Sequence, residues 1–160
     1  ILKNSMKELE LDKKKILEYQ QNRDPYLMID HATKVIPGKI SEGYKDLKEN
    51  EWFFKVHWPG DPNMPGMLQV EALVQMSALI VQSMPEHKGK TLYLVDANNL
   101  RFIKKIIPGQ RLDIFSKLLE WKRGLIKFEA EGFVNKKKAC KANFTLILPG
   151  SIDIKMKNSL

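Results

Sequence analysis

Residues 67–84 read MLQVEALVQMSALIVQSM, and their pattern decides the fold. At 3.6 residues per turn, Leu68, Val70, Leu73, Val74, Met76, Leu79, Ile80 and Val81 point in nearly every direction. A helix that is hydrophobic all round is one surrounded by protein. Pro85 lacks the N–H a further turn would need, so the helix stops there. From Thr91 onward the period changes to that of strands: TLYLVDA, NLRFIKKII, RLDIFSKLLEW, LIKFEAEGFV and ACKANFTLIL. Turn signals at Pro108-Gly109, Arg123-Gly124 and Asn135-Lys136 separate them. One antiparallel sheet curled round one long central helix is the simplest α+β arrangement that encloses such a helix.

Upstream, residues 5–21 place Met6, Leu9, Ile16 and Leu17 among charges, with Ser5 and Glu8 in capping-box register, and read as a helical arm. Residues 26–36 read as an extended run closed by a turn at Pro37-Gly38. Two further strands are expected over 40–48 and 51–57, the second through the β-prone Trp52, Phe53 and Phe54. The expected organisation is a single domain over 1–160, with an arm at 1–15, a core at 16–149 and a tail at 150–160.

At 160 residues the chain can bury a real core, and 43% hydrophobic with 29% charged residues is the balance of a soluble globular protein. Gln69, Glu71, Gln75 and Gln82 interrupt the longest apolar stretch, which argues against a membrane span. The N-terminal residues have lysines but no apolar segment of a signal peptide. One cysteine, Cys140, excludes an internal disulfide, so a cytoplasmic location is expected. The net charge of +8 is spread along the chain with no zinc-finger spacing or aromatic-interleaved basic motif, so nucleic-acid binding is a distant third reading and no nucleic-acid partner is expected.

The chemistry concentrates just before the helix, in residues 57–75, HWPGDPNMPGMLQVEALVQ. Pro59, Pro62 and Pro65 stiffen this loop, so His57 is rigidly supported, as a positioned general base must be. Gly66 opens the helix, where backbone N–H groups are unpaired and the dipole is positive, which suits an oxyanion. Glu71 and Gln75, four apart, share a helix face. Burial should raise the pKa of Glu71 and leave some of it protonated near neutrality. A base, an acid and an oxyanion site suit proton abstraction α to a carbonyl with loss of a β-leaving group. His31, His87 and Cys140 read as structural residues.

The same stretch resembles the signature of the β-hydroxyacyl-(acyl carrier protein) dehydratases of type II fatty acid synthesis, H-F-P-G-x-P-x-M-P-G-x-L-x-x-E-A-x-x-Q. Eleven of its fixed positions match, and Trp58 stands in place of the phenylalanine. NRDPYLMIDHATKVIPGK resembles the family's opening strand, LRFIKKIIPGQRL a later strand and turn, and KACKANFTLIL the last strand. The resemblance runs from about residue 16 to 149.

It implies a hot-dog fold and the dehydration of a 3-hydroxyacyl thioester to a trans-2-enoyl thioester, with no metal or redox cofactor. By resemblance His57 removes the C2 proton, Glu71 protonates the leaving hydroxyl, the Gly66 amide polarises the thioester carbonyl, and Gln75 orients Glu71. Trp58, beside the base, bears on the shape of the acyl pocket. The family builds each site from two subunits, so a homodimer or a trimer of dimers is implied. Its substrate arrives on an acidic carrier protein, and Arg101, Lys104 and Lys105, read on one strand, are the candidate carrier contacts. The alternatives are an inactive hot-dog paralogue that binds acyl carrier protein, and an acyl-thioester hydrolase.

Overall fold

The computed structural model describes residues 7–150. Seven antiparallel strands form one sheet: β1 (Leu9–Leu11), β2 (His31–Ile36), β3 (Ile40–Asp46), β4 (Tyr93–Phe102), β5 (Arg111–Lys122), β6 (Leu125–Val134) and β7 (Lys137–Ile147). Their order in space is β1-β2-β3-β5-β6-β7-β4, which leaves β1 and β4 at the edges. Three α-helices accompany them: α1 (Lys13–Tyr19), α2 (Trp52–Val56) and α3 (Gly66–Gln82).

The sheet curls around α3, as the all-round hydrophobicity of that helix requires. Leu73, Met76, Leu79 and Ile80 on the helix are fully buried with Ile114, Phe128, Ala130, Phe144 and Leu146 of the sheet. Each large side chain so enclosed contributes roughly 1.5–3 kcal/mol. Small residues stand where helix and sheet approach most closely. Ser41 Oγ donates to Met76 O at 2.7 Å, Ser77 Oγ meets Ser116 Oγ, and Gly43 lies directly beneath Met76. Among the described residues the enclosure has a gap. Met67 is 64% exposed, and Glu71 and Val74, on the same face, are half-buried.

The hairpin turns are those expected. Arg123 and Gly124 have φ of 53° and 79°, and Asn135 and Lys136 have φ of 49° and 63°. Two consecutive positive φ angles make the tight turns whose twist matches that of the flanking strands. They set the register Lys122↔Leu125 in one hairpin and Val134↔Lys137 in the next.

Four expectations need correction. Residues 52–56 form α2, not a strand. Phe53 and Phe54 are both buried while Trp52, Lys55 and Val56 are exposed. Adjacent residues of a strand face opposite sides, so a strand here would have driven one phenylalanine into solvent. The N-terminal arm is split into β1 and α1, with the Asp12 carboxylate accepting from Lys15 N at 2.8 Å as the cap. Ser5 of the expected capping box lies outside the described residues. The extended run begins only at His31, because Tyr26 and Leu27 turn back to bond the Arg23 carbonyl. Finally, the two strands expected after Thr91 are one, β4, whose irregularity at Asn98–Arg101 includes Asn99 at φ 52°.

Candidate active site

The residues marked out by the motif lie in two places. The first is a cleft of about 410 Å³ lined by His57, Trp58, Asn63, Gly66, Phe102 and Lys104, among others. His57 ends the short α2, where its N–H donates to Phe53 O at 2.8 Å. In the ring, Nδ1 lies 3.2 Å from the carbonyl oxygen of Asn63. A carbonyl can only accept, so Nδ1 carries the proton and the neutral imidazole keeps its lone pair on Nε2. The proline loop therefore does more than stiffen the chain: it supplies, through Asn63, the acceptor that sets the tautomer. Asn63 is itself buried, its Nδ2 donating to Asp61 O at 2.7 Å.

Trp58 stacks on the imidazole with ring centroids 4.6 Å apart and planes 22° from parallel. Its φ of 54° is left-handed, which costs a non-glycine residue on the order of 1 kcal/mol, and such strain tends to gather at working sites. The indole is 60% exposed, so it caps the imidazole at the mouth of the cleft rather than filling the core.

Gly66 is the first residue of α3, whose opening N–H groups have no acceptor within the helix. A Cβ at this position would stand 3.0 Å from Phe102 Cε1 and 3.1 Å from Cζ. Glycine is what lets the Phe102 ring, at the end of β4, close over the start of the helix.

Glu71 and Gln75 form the second place, and neither lines the cleft that holds His57. Gln75 is buried, and its Nε2 donates to Glu71 Oε1 at 2.8 Å and to Tyr26 O at 2.9 Å, while its Oε1 accepts from Met28 N at 2.7 Å. The pairing of Gln75 with Glu71 is the one their spacing suggested. The full burial expected of Glu71 is not provided by the described residues of its own chain, because among them that face of α3 is the gap in the enclosure. Tyr26 stands nearby: burial pushes its phenol above the ordinary value, and the Glu71 carboxylate adds to the shift. No periodicity in the sequence marks Asn63, Phe102 or Tyr26 as neighbours of these groups. They arrive by turns and long-range packing.

The basic residues separate as well. Arg101 lies on β4, but Lys104 and Lys105 follow the strand in a loop instead of sharing it. Lys105 pairs with Asp61, whereas Arg101 is exposed and opposite Lys141 of β7. His31 bonds Glu10 at 2.9 Å and stacks on Tyr44, and His87 packs against Trp121, so both read as structural. Cys140 is buried in the sheet, and desolvation raises its thiol to about 11, partly opposed by a hydrogen bond from the Gly132 backbone.

Comparison with known proteins follows the same outline. A FabA-like domain model matches residues 21–143. The 3-hydroxyacyl-[acyl-carrier-protein] dehydratase FabZ of Alkaliphilus metalliredigens is 35% identical over 140 residues, 88% of this chain and 95% of that protein. FabZ of Pediococcus pentosaceus is 35% identical over 147 residues, 92% and 98% of the two chains. FabZ of Clostridium novyi is 40% identical over 109 residues, 68% and 77%. Among solved structures, the dehydratase heterocomplex ApeI:P from Xenorhabdus doucetiae superposes with a TM-score of 0.70 at 15% identity, covering 89% of this chain and 97% of that one. At that identity it speaks for the fold alone, the hot-dog arrangement of sheet around helix. Among the described residues no helix is long and apolar enough to cross a membrane. With matches that span His57, Gly66, Glu71 and Gln75 and nearly the whole length of its relatives, the chain belongs to the FabA-like family, alongside the FabZ 3-hydroxyacyl-[acyl-carrier-protein] dehydratases.

Proposed function

We propose that this protein dehydrates 3-hydroxyacyl groups carried on acyl carrier protein to trans-2-enoyl groups, in the cytoplasm, as a step of fatty acid synthesis. His57 Nε2 takes the C2 proton, and the electron pair closes the double bond as the C3–O bond breaks. Glu71 gives its carboxyl proton to the departing hydroxyl, which leaves as water. The imidazolium then returns a proton to the carboxylate, and both groups are reset. The Gly66 N–H stabilises the enolate-like oxygen of the thioester, and Gln75 holds Glu71 in the orientation for transfer.

The observation that carries this reading is the tautomer of His57. The Asn63 carbonyl accepts from Nδ1–H at 3.2 Å, leaving Nε2 as a nitrogen that can only accept. A hydrolase would need the same nitrogen to activate a water. The retained acid on α3 and the relatives' printed activity favour elimination.

A homodimer would complete the site, with Glu71 supplied by the second subunit. Two features of one chain support that assembly. Edge strand β4 is ten residues long and exposes Tyr93, Leu94 and Val95, an open edge of the kind that proteins otherwise cover. The gap over Met67, Glu71 and Val74 leaves the acid on a face that a second copy could enclose. Trimers of such dimers would use the same sites.

The experiment is hydration of crotonyl thioesters, on carrier protein and on coenzyme A, followed by loss of enone absorbance. His57→Ala and Glu71→Gln should each be inactive. Mixed and allowed to exchange subunits, they should recover about a quarter of wild-type activity, since half the dimers are hybrids and each hybrid carries one intact site. No recovery after demonstrated exchange would mean that each site is built within one chain.

A further inference from the structure

The described residues hold one buried ammonium, and it sits away from the cleft. Lys45, on β3, is 4% exposed. Its Nζ lies 3.1 Å from Glu51 Oε1 and 3.6 Å from Asp30 Oδ2. The same Asp30 oxygen accepts from Asp46 N at 2.8 Å, and the other Asp30 oxygen is 3.8 Å from Lys13. A buried ion pair is a poor source of stability, because well-packed apolar residues of similar volume often serve as well or better. What such a cluster does secure is geometry, and here the geometry concerns both catalytic groups.

Glu51 immediately precedes α2, and His57 ends that helix. With five residues between them, a shift at Glu51 is passed to the imidazole almost undamped. Asp30 ends the segment 24–30, which also grips α2, since Pro25 O accepts from Trp52 Nε1 at 3.2 Å. Tyr26 O and Met28 N of the same segment hold Gln75, and Gln75 holds Glu71. One ammonium thus contacts the two carboxylates that anchor the base-bearing helix and the segment supporting the acid.

We infer that Lys45 is a positioning residue for the dehydration, aligning His57 through Glu51 and Glu71 through Asp30 and Gln75. It touches neither substrate nor reacting atoms. On the dimeric reading, His57 and Glu71 of one chain serve opposite sites, so a single Lys45 aligns half of each. The inference rests on the dehydratase reading for its kinetics, though not for its geometry.

The test replaces the charge with an apolar chain of similar reach. Lys45→Met is assayed for crotonyl thioester hydration at a temperature where circular dichroism shows it as fully folded as the wild type. Its kcat should fall roughly 10- to 100-fold with KM changed less than about twofold, the signature of misplaced catalytic groups rather than lost binding. Lys45→Arg, which keeps the charge, should recover most of the loss. Should Lys45→Met not fold, Glu51→Gln breaks the His57 branch alone and should lower kcat in the same way. The His57 imidazole resonances in NMR should move in either variant. Wild-type kcat and unmoved resonances in a folded variant would overturn the inference. A wild type that hydrates nothing would overturn the dehydratase reading instead, while the resonances would still decide the positioning.

Discussion

Gln75→Leu tests the junction between the site and the fold. Leucine is apolar, slightly bulkier than glutamine and an equally good helix former, so the loss falls mainly on polar contacts. Three go: Nε2 to Glu71 Oε1 at 2.8 Å, Nε2 to Tyr26 O at 2.9 Å, and Met28 N to Oε1 at 2.7 Å. The third dominates, because Met28 is fully buried and an orphaned buried N–H costs about 1–3 kcal/mol. The bonds to Tyr26 O and to Glu71 are only part-buried, and together they add about 1 kcal/mol at most. The expected loss is about 2–3 kcal/mol, which for a chain of this length lowers Tm by about 5–10 °C. Urea denaturation at one fixed protein concentration should show the midpoint falling by about 1 M with m unchanged. At a temperature where both proteins are folded, kcat should fall at least about tenfold, because Glu71 loses its fixed partner. A midpoint within about 0.3 M of wild type would mean that the segment 26–28 does not depend on Gln75.

Gly43→Ala places a Cβ 2.1 Å from His31 O and 2.8 Å from Ala32 Cα, both backbone atoms that cannot step aside, and should cost about 3 kcal/mol or more by thermal or urea unfolding. The Cys140 thiol, raised from the ordinary 9.0 to about 11, gives a pH dependence of definite sign. The unfolded thiol ionises first, so this contribution is fully present below about pH 9 and is lost as pH rises toward 11, amounting to about 2–3 kcal/mol. Comparing wild type with Cys140→Ala across that range isolates it, and the folded thiol should resist alkylation at neutral pH. If an acidic carrier docks beside the cleft, Lys104→Glu should raise KM for carrier-bound substrate more than Lys105→Glu does, because Asp61 already pairs with Lys105. Neither should change KM for a short, uncharged thioester mimic, and equal effects on both substrates would remove the carrier assignment.

Much of the protein is legible in its sequence because the relevant physics is local. An 18-residue stretch apolar on every side, ended by Pro85, must lie inside something, and strands joined by Arg123-Gly124 and Asn135-Lys136 must return as hairpins. The His57 to Gln75 spacing likewise announces a rigid loop, a helix start and the pairing of Glu71 with Gln75. Other features depend on partners far away in the chain. Trp52–Val56 became a helix because two adjacent phenylalanines had to enter one core, and strand preference is too dependent on context to prevent it. Strand β4 became an exposed edge because sheet order, unlike strand identity, is not written in any local period. The tautomer of His57 hangs on a backbone carbonyl of Asn63, and Lys45 of β3 meets both Asp30 and Glu51. Hydrogen bonds and ion pairs of this kind need only that two groups meet, and sequence spacing does not say which will.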